Sequence, residues 1–365
     1  MEKEMIHYSF TDFKSDQEVK WCPGCGNHAI LSAVQKAMPQ VAEDTGAPKE
    51  SFVVVSGIGC SSRFPYYMDT YGFHSIHGRA NAIATGVKTA NPSLNVFVAT
   101  GDGDSLAIGG NHFIHAVRRN IDLDVILFNN EIYGLTKGQY SPTSKLGKVT
   151  KTSPFGTIEK PFNPGELVIG ARGTFFARSV DVEVALTKDC LVEAAEHKGM
   201  SVVEVLQNCV IFNDKAHADF AADKAMRAER TITLHHGEKM LFGAEKNKGL
   251  VLDGFKLKVV TVGEDGVTLD DVLTHDAHEK DTYLHNALAA MKYPDYPVAL
   301  GIIRDVDEPT YEQEVERQIA EQQAVTSIKC VDDLLRSGDT WMIEQSRYCS
   351  AQKTEIDLFI FIKIK

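Results

Sequence analysis

The sequence has no long apolar segment. Among its 365 residues, no run approaches the roughly 18 apolar residues that a membrane-spanning helix needs. The segment from Met1 to Lys20 is polar and charged, and it lacks the apolar stretch and cleavage pattern of a secretory signal peptide. We therefore expect a cytoplasmic protein that does not enter a membrane.

Clustered basic residues are also lacking. Arg118 and Arg119 are adjacent, but no further basic residues extend the pair, and the formal net charge of the chain is −12. A nucleic-acid-binding surface needs Lys and Arg gathered on one face. We therefore expect no nucleic acid among the partners.

The bulk composition is that of an ordinary globular protein. Hydrophobic residues make up 43% of the chain and charged residues 24%. A chain of this length buries a large core without support from disulfides. In a reducing cytoplasm, the seven cysteines are therefore expected to bind a metal or a cluster, or to act in catalysis.

Short apolar runs alternate with helix-like segments through much of the chain. Buried strands are predicted over residues 51–56, 95–100, 123–129, 174–179 and 201–206. Helices are predicted over residues 28–38, 77–90, 109–119 and 182–198. This alternation predicts an α/β fold with a parallel sheet and helices on both faces.

The remainder of the chain has weaker patterns. Residues 138–165 are rich in Gly, Pro, Ser, Thr and Lys and predict one long loop, a length usually associated with function. Residues 215–230 predict a charged helix, residues 231–310 predict short strands alternating with turns, and residues 309–324 predict an acidic helix. The apolar residues 356–365 predict a strand, to which we assign no role.

The segment Gly101-Asp102-Gly103 follows a predicted strand, and Asn130 follows the next one. Ligands of parallel α/β sheets bind outside the carboxyl ends of the strands. Glycines let backbone N–H groups approach a diphosphate, and the Mg²⁺ that accompanies a diphosphate needs oxygen ligands. Asp102, Asn130 and the carbonyl group of Ile132 would supply such ligands.

Several segments resemble a known family. Residues 100–130 are similar to the thiamine-diphosphate motif, in which Gly-Asp-Gly is followed by Asn. Four more segments resemble 2-oxoacid:ferredoxin oxidoreductase beta subunits, namely WCPGCG (21–26), GIGCS (57–61), HGRA (77–80) and EIYGLTKGQ (131–139). The resemblance covers about residues 15–215 and continues more loosely to about residue 340.

The resemblance implies a site for thiamine diphosphate and Mg²⁺. Asp102, Asn130 and the carbonyl oxygen of Ile132 would ligate the Mg²⁺. The thiamine cofactor would be lined by Ile58, Gly59, Cys60, Ser61, His77, Gly103, Asp104, Gly134 and Leu135. A histidine at a helix start rich in Gly and Ala is equally typical of a structural group, so both interpretations of His77 stay open.

Four cysteines form a candidate metal site. Cys22 and Cys25 share one turn, a spacing typical of zinc or iron–sulfur ligands. Cys60 and Cys209 each follow a predicted strand, and the pattern alone leaves zinc and a four-thiolate cluster open. The resemblance assigns one [4Fe-4S] cluster to the four, although Cys209 lies in Gln-Asn-Cys, where many family members have a proline-containing motif.

The other cysteines receive no functional assignment. Cys190 lies on the apolar face of a predicted helix, where a free cysteine usually packs in the core. Cys330 and Cys349 have no nearby partners in the sequence.

The resemblance implies a CoA-dependent oxidative decarboxylation of a 2-oxoacid, with electrons passing through the cluster to ferredoxin. It places Arg63 and Leu135 at the substrate end of the cofactor. The guanidinium of Arg63 suits bidentate pairing with the distal carboxylate of 2-oxoglutarate. This favours 2-oxoglutarate, converted to succinyl-CoA and CO₂ in either direction. A surface acid or a phosphate is the alternative partner of Arg63.

Three alternative functions stay open. The first is the same class of enzyme acting on pyruvate or branched-chain 2-oxoacids instead of 2-oxoglutarate. A non-redox thiamine-diphosphate decarboxylase or synthase would need no cluster. A zinc-stabilised binding module would contain zinc but no thiamine.

The resemblance also implies a second subunit. Only the diphosphate-binding type of thiamine domain is recognisable, so we expect the pyrimidine-binding domain on an alpha subunit of an α₂β₂ heterotetramer. Residues 15–215 are expected to hold the cofactor and cluster ligands, and residues 216–341 to pack on that domain and on the alpha subunit. Residues 342–365 are expected to be a tail of unknown role.

Overall fold

The structure of the protein is a computed structural model that describes residues 7–341. The strands are β1 (Phe52–Ser56), β2 (Tyr71–His74), β3 (Asn95–Gly101), β4 (Leu123–Asn129), β5 (Phe175–Val180), β6 (Met200–Leu206), β7 (Thr231–Leu234), β8 (Leu241–Phe242), β9 (Lys248–Asp253), β10 (Lys256–Thr261) and β11 (Val298–Asp305). A central sheet has the order β2-β1-β3-β4-β6-β5-β11-β7. Its neighbours pair in parallel, except that β11 and β5 are antiparallel.

The helices in the described part of the chain are α1 (Asn27–Thr45), α2 (Ala80–Ala90), α3 (Gly110–Arg119), α4 (Pro164–Gly170), α5 (Val184–Glu196), α6 (Ala218–Ala221), α7 (Lys224–Arg230), α8 (Tyr283–Ala290), α9 (Tyr311–Val325) and α10 (Val331–Arg336). None of the helices in the described part of the chain combines the length and apolar character that a bilayer span requires.

The two faces of the sheet are covered by different helices because side chains alternate along each strand. Phe52 and Val54 of β1 pack in a core cluster with α1 and α5. Val53 and Val55 point the other way and pack in a cluster with α2, α3, α4 and α8. The predicted α/β fold, with a mostly parallel sheet and helices on both faces, is confirmed.

The five predicted strands correspond to β1, β3, β4, β5 and β6. Strand β2 was not predicted, because all four of its residues are exposed and show no buried pattern. Cys190 is buried in the core, as predicted. The predicted long loop at 138–165 contains no strand or helix until α4 begins at Pro164.

Two helix predictions are wrong in detail. The predicted helix at 77–90 begins only at Ala80, because Gly78 has a left-handed φ of 72° that a helix does not accept. The predicted helix at 215–230 is two short helices, α6 and α7. The side chain of Asp223 accepts a hydrogen bond from the backbone N–H of Met226 and so starts α7 separately.

Residues 231–310 contain the predicted short strands, three of which form a separate antiparallel sheet in the order β10-β9-β8. Helix α8 was not predicted there. A first compact unit extends to Glu312, and a second begins at Gln313. The predicted acidic helix corresponds to α9. The tail at 342–365, with its apolar end and Cys349, lies outside the described residues.

Candidate active site

A cavity of about 140 Å³ opens at the carboxyl ends of β1, β3 and β4. It is lined by loops that follow these strands, as expected for a parallel α/β sheet. All of the residues predicted to bind thiamine diphosphate or Mg²⁺ line this one cavity. We call it the diphosphate pocket.

Asp102 lies in the wall of the diphosphate pocket and is buried. The hydroxyl groups of Ser141 and Thr143 donate hydrogen bonds to its Oδ2 atom, at 2.6 and 2.5 Å. Burial raises the pKa of the Asp102 carboxyl, and these hydrogen bonds oppose that shift. A divalent cation beside Asp102 would favour the ionised form.

The loop after β4 holds the other two predicted Mg²⁺ ligands. Asn130 Oδ1 accepts a hydrogen bond from the backbone N–H of Ile132 at 3.2 Å. Glu131 between them has a left-handed φ of 55°, which is uncommon for a residue other than glycine. The Ser144 hydroxyl donates to the Glu131 carbonyl at 2.6 Å, and the Asn213 amide donates to the Asn130 carbonyl at 2.9 Å. The unusual turn is therefore held from two sides.

The carboxylate of Asp104 joins three loops of the pocket. Its Oδ1 atom accepts hydrogen bonds from the backbone N–H groups of Ile58 at 3.1 Å and Gly78 at 2.7 Å. The same atom lies 2.5 Å from His77 Nδ1, and Oδ2 accepts from the Thr100 hydroxyl at 2.8 Å. Asp104 thus orients His77 in the pocket wall.

Gly103 in the pocket wall and Gly57, which precedes the lining residue Ile58, have no room for a side chain. A Cβ atom on Gly57 would lie 1.7 Å from Asp104 Oδ2. A Cβ atom on Gly103 would lie 2.2 Å from the ring of Tyr133, whose hydroxyl donates to the Gly103 carbonyl at 2.9 Å. Burial raises the pKa of Tyr133 to about 12, so this hydroxyl stays a donor.

The four predicted cluster cysteines also meet at one place. Cys22, Cys25, Cys60 and Cys209 line a second cavity of about 230 Å³, which we call the cysteine cavity. A Cβ atom on Gly134 would lie 3.4 and 3.6 Å from the sulfurs of Cys60 and Cys209. Burial raises the pKa of Cys25 and of Cys60 to about 11. A bound metal centre would favour the thiolates that it needs as ligands.

The two cavities share a wall. Asn27, Cys60, Asn130, Gly134 and Leu135 line both of them. The Oδ1 atom of Asn27 is buried there without a hydrogen-bond partner among residues 7–341. Because buried polar atoms are normally paired, this orphan acceptor is consistent with a bound group in one of the two cavities.

Arg63 lines the cysteine cavity rather than the diphosphate pocket, and its side chain is exposed. It forms no ion pair with any side chain among residues 7–341. Its charge lowers the pKa of Cys60, although burial of that thiol has the larger effect. Leu135, the other residue predicted at the substrate end, lines both cavities.

Sequence reasoning missed several residues of the site. Ser141, Thr143 and Ser144 come from the long loop, where a run of hydroxyl residues beside Pro142 was the available signal. Asn27 directly follows the first cysteine turn. No signal marked Gln207, whose side chain lies against Asn130 and Cys25.

The fold and the loops at its strand ends define the diphosphate-binding domain of a thiamine-diphosphate enzyme. Residues 57–205 match the family model described as "Thiamine pyrophosphate enzyme, C-terminal TPP binding domain". This segment begins directly after β1, contains β2 to β5 and nearly all of β6, and includes the loops that form most of the diphosphate pocket.

Similar proteins narrow the class. The 2-oxoglutarate oxidoreductase subunit KorB of Mycobacterium tuberculosis is 47% identical over 336 residues, which cover 91% of this chain and 88% of the relative. The beta subunit of 2-oxoacid:ferredoxin oxidoreductase 1 of Aeropyrum pernix is 47% identical over 225 residues, 62% of this chain and 70% of the relative.

A solved structure is similar over nearly the whole chain. It is the 2-oxoglutarate:ferredoxin oxidoreductase from Magnetococcus marinus with 2-oxoglutarate, coenzyme A and succinyl-CoA bound. It has a TM-score of 0.72 and 30% identity, and covers 92% of this chain and 98% of its own. The chain belongs to the beta-subunit family of the 2-oxoacid:ferredoxin oxidoreductases, which are thiamine-diphosphate-dependent oxidoreductases. The predicted family and enzyme class are confirmed.

Proposed function

We propose that this chain is the catalytic beta subunit of an enzyme that converts 2-oxoglutarate and CoA to succinyl-CoA and CO₂. Electrons leave through a [4Fe-4S] cluster to ferredoxin, and the reaction runs in either direction. The observation that carries the proposal is the shared wall between the diphosphate pocket and the cysteine cavity. Electron transfer from substrate to cluster needs the two centres side by side.

Thiamine diphosphate and Mg²⁺ fit the diphosphate pocket by the chemistry of its donors. Asp102, Asn130 and the Ile132 carbonyl supply the oxygen ligands that Mg²⁺ requires. Gly57 and Gly103 leave room for the side chains of Asp104 and Tyr133 in the pocket wall. Bound there, thiamine diphosphate supplies the electron sink for loss of CO₂ from a 2-oxoacid. Asp104 keeps His77 and the loop at Ile58 in place around it.

A [4Fe-4S] cluster fits the cysteine cavity better than one zinc ion does. The cavity, at about 230 Å³, is far larger than the roughly 10–15 Å³ that one water molecule occupies. Four thiolates around a wide cavity are what a cubane cluster needs. Such a cluster supplies one-electron redox chemistry.

The substrate proposal depends on Arg63. The M. tuberculosis relative is named for 2-oxoglutarate, and the M. marinus structure contains 2-oxoglutarate and CoA. In this chain, Arg63 is exposed in the wall of the cysteine cavity, which Leu135 also lines, and it has no acidic partner among residues 7–341. A free guanidinium there suits a substrate with a second carboxylate.

An alpha subunit is proposed to cover the mouth of the diphosphate pocket. Tyr71, Phe73 and Ile76 are exposed apolar residues on and just after β2, and His77 follows them in the pocket wall. Ile108, also exposed, packs against Gly78. Apolar groups gathered beside a functional site favour burial against a partner. We further propose a cytoplasmic location, where free thiols persist.

The test is a substrate panel on the assembled enzyme. The chain is produced anaerobically together with its alpha partner, and CoA-dependent reduction of a viologen dye is followed with 2-oxoglutarate, pyruvate and a branched-chain 2-oxoacid. We expect the highest kcat/KM for 2-oxoglutarate and little activity from the chain alone. A higher kcat/KM for pyruvate would contradict 2-oxoglutarate as the substrate but not the class of enzyme. Loss of CO₂ with no electron acceptor present would favour a non-redox decarboxylase.

A further inference from the structure

Gln207 lines the cysteine cavity and contacts Asn130, which lines both cavities. It directly follows β6, and its backbone N–H donates to the Asn129 carbonyl at the end of β4 at 2.8 Å. The side chain is buried, with 1% of its surface exposed. Its amide oxygen contacts a proposed Mg²⁺ ligand, and its amide nitrogen contacts a proposed cluster ligand.

The neighbouring backbone fixes which way the Gln207 amide faces. The carbonyl of Asn208 only accepts hydrogen bonds, and Gln207 Nε2 donates to it. Gln207 Oε1 is then left to accept from Asn130 Nδ2 at 2.8 Å. With its nitrogen committed to Gln207, Asn130 has only Oδ1 to offer a hard cation. The orientation of a proposed Mg²⁺ ligand is therefore set by Gln207.

The other end of the same amide faces a cluster cysteine. Gln207 Nε2 donates a hydrogen bond to Cys25 Sγ at 3.4 Å. Hydrogen bonds to the sulfurs are among the factors that set the reduction potential of an iron–sulfur cluster. They stabilise the reduced cluster, because it has the more negative charge.

The position of Gln207 is built into its surroundings. Asp181 Oδ2 accepts a hydrogen bond from the Asn208 backbone N–H at 2.7 Å and so fixes the peptide that orients Gln207. A Cβ atom on Gly26 would lie 1.8 Å from that Asp181 oxygen and 2.9 Å from Gln207 Cγ. Glycine at 26 therefore makes room for both side chains.

We propose that Gln207 is a positioning residue that serves both centres at once. It turns Asn130 so that an oxygen faces Mg²⁺, and it donates an N–H to the Cys25 sulfur of the cluster. This inference rests on the proposed function. It adds one residue whose loss would change both the affinity for Mg²⁺ and the reduction potential of the cluster.

Two substitutions separate the two contacts. Gln207→Met removes both, whereas Gln207→Glu keeps an oxygen toward Asn130 but offers no N–H to Cys25. Gln35→Met is the matched control, because Gln35 is also buried but donates to the Tyr67 carbonyl, and neither residue lines either cavity. Each variant is purified anaerobically with its alpha partner. The Mg²⁺ dissociation constant is measured with thiamine diphosphate present, and the cluster midpoint potential by an EPR-monitored redox titration.

In Gln207→Met, we expect Mg²⁺ to bind roughly 10–100-fold more weakly, as is typical when a residue behind a metal ligand is lost, and the cluster potential to fall. In Gln207→Glu, we expect Mg²⁺ binding close to wild type and a lowered potential. Gln35→Met should change neither quantity.

Unchanged Mg²⁺ affinity in Gln207→Met, or an unchanged potential in either Gln207 variant, would overturn the proposal. If Gln207→Met does not fold, the Gln207→Glu variant alone tests the proposal. A cluster potential equal to that of the wild type in Gln207→Glu would show that the contact to Cys25 does not affect the cluster. A wild-type enzyme without Mg²⁺-dependent thiamine binding or without a cluster would instead contradict the proposed function itself.

Discussion

Arg63 is the side chain that bears most directly on substrate choice. We expect Arg63→Met to raise the KM for 2-oxoglutarate and to leave that for a neutral 2-oxoacid little changed. A hydrogen bond to a charged group contributes on the order of 1.5–3 kcal/mol, which corresponds to roughly 10–150-fold in KM. Steady-state kinetics with both substrates measure the effect.

Arg119→Met is the matched control for this prediction. Arg119 is exposed at the end of α3 and does not line either cavity. Its loss should leave both KM values unchanged. If Arg63→Met raised the KM for both substrates equally, Arg63 would not pair with the distal carboxylate of 2-oxoglutarate.

At the residue scale, the sequence predicted the groups whose chemistry is unusual. Asp102, Asn130, Cys22, Cys25 and Cys60 stand in motifs of the family that the sequence resembles, and Cys209 was assigned although its own motif departs from the family pattern. Asn27 and Gln207 were missed because amides are common in loops and their roles depend on contacts between distant segments. The contact between Gln207 and Asn130 exists only because β4 and β6 are neighbours in the sheet.

Among the secondary-structure elements, β5 and β6 carry a buried ion pair. Arg178 and Glu204 are directly paired across the two strands, and Arg178 Nε lies 2.6 Å from Glu204 Oε2. Glu204 also accepts a hydrogen bond from the Asn129 side chain at 2.7 Å. The pair therefore lies directly behind the loop that holds Asn130.

We expect Arg178→Met to lower the free energy of unfolding by roughly 3–5 kcal/mol, because it leaves a buried carboxylate without its partner. The double variant Arg178→Met/Glu204→Gln should lose less, since the remaining amide oxygen still accepts from Asn129 and has no charge. Chemical denaturation of the purified chain measures both. A double variant as unstable as the single one would show that lost packing, not the uncompensated charge, is responsible.

Arg317→Met provides a comparison on a helix surface. Arg317 lies on α9 and pairs with Glu314 and Glu321 in an exposed position. Solvent-exposed pairs contribute little because water screens them. We expect no measurable change in stability in this variant.

At the element scale, the sequence predicted β1, β3, β4, β5 and β6 because their apolar runs are almost entirely buried. Strand β2 was not predicted because none of its residues is buried. The start of α2 was misplaced because a left-handed glycine cannot be distinguished from a helical one by composition. Tertiary contacts, rather than local preference, decided both cases.

For the whole molecule, stability is expected to depend on pH through His275. This side chain is fully buried, and its Nε2–H donates to the Ile302 carbonyl at 2.8 Å, which leaves Nδ1 without a partner among residues 7–341. Burial lowers the pKa of His275 from 6.5 to about 4. The hydrogen bond to Ile302 opposes this lowering of the pKa, as does the charge of Asp276, whereas His285 and His236 lower the pKa further.

Because the pKa of His275 is lower in the folded than in the unfolded chain, the unfolded state takes up the proton first as the pH falls. Stability should therefore decrease between about pH 6.5 and pH 4, by on the order of 3 kcal/mol from this residue. His275→Gln keeps an N–H donor and does not titrate, so its pH profile should be shallower. Thermal unfolding across that range measures the difference, and parallel profiles would exclude His275 as the cause.

The central claim concerns two neighbouring centres in one chain, and the most direct test is the iron, sulfide and thiamine content of the anaerobically purified enzyme. We predict about four irons and four sulfides per beta chain. We also predict that thiamine diphosphate binds in a Mg²⁺-dependent manner, and that this binding is lost in Asp102→Asn but kept in the control Asp307→Asn, whose side chain is exposed. About one zinc with no iron, or thiamine diphosphate bound equally well by Asp102→Asn, would contradict the account.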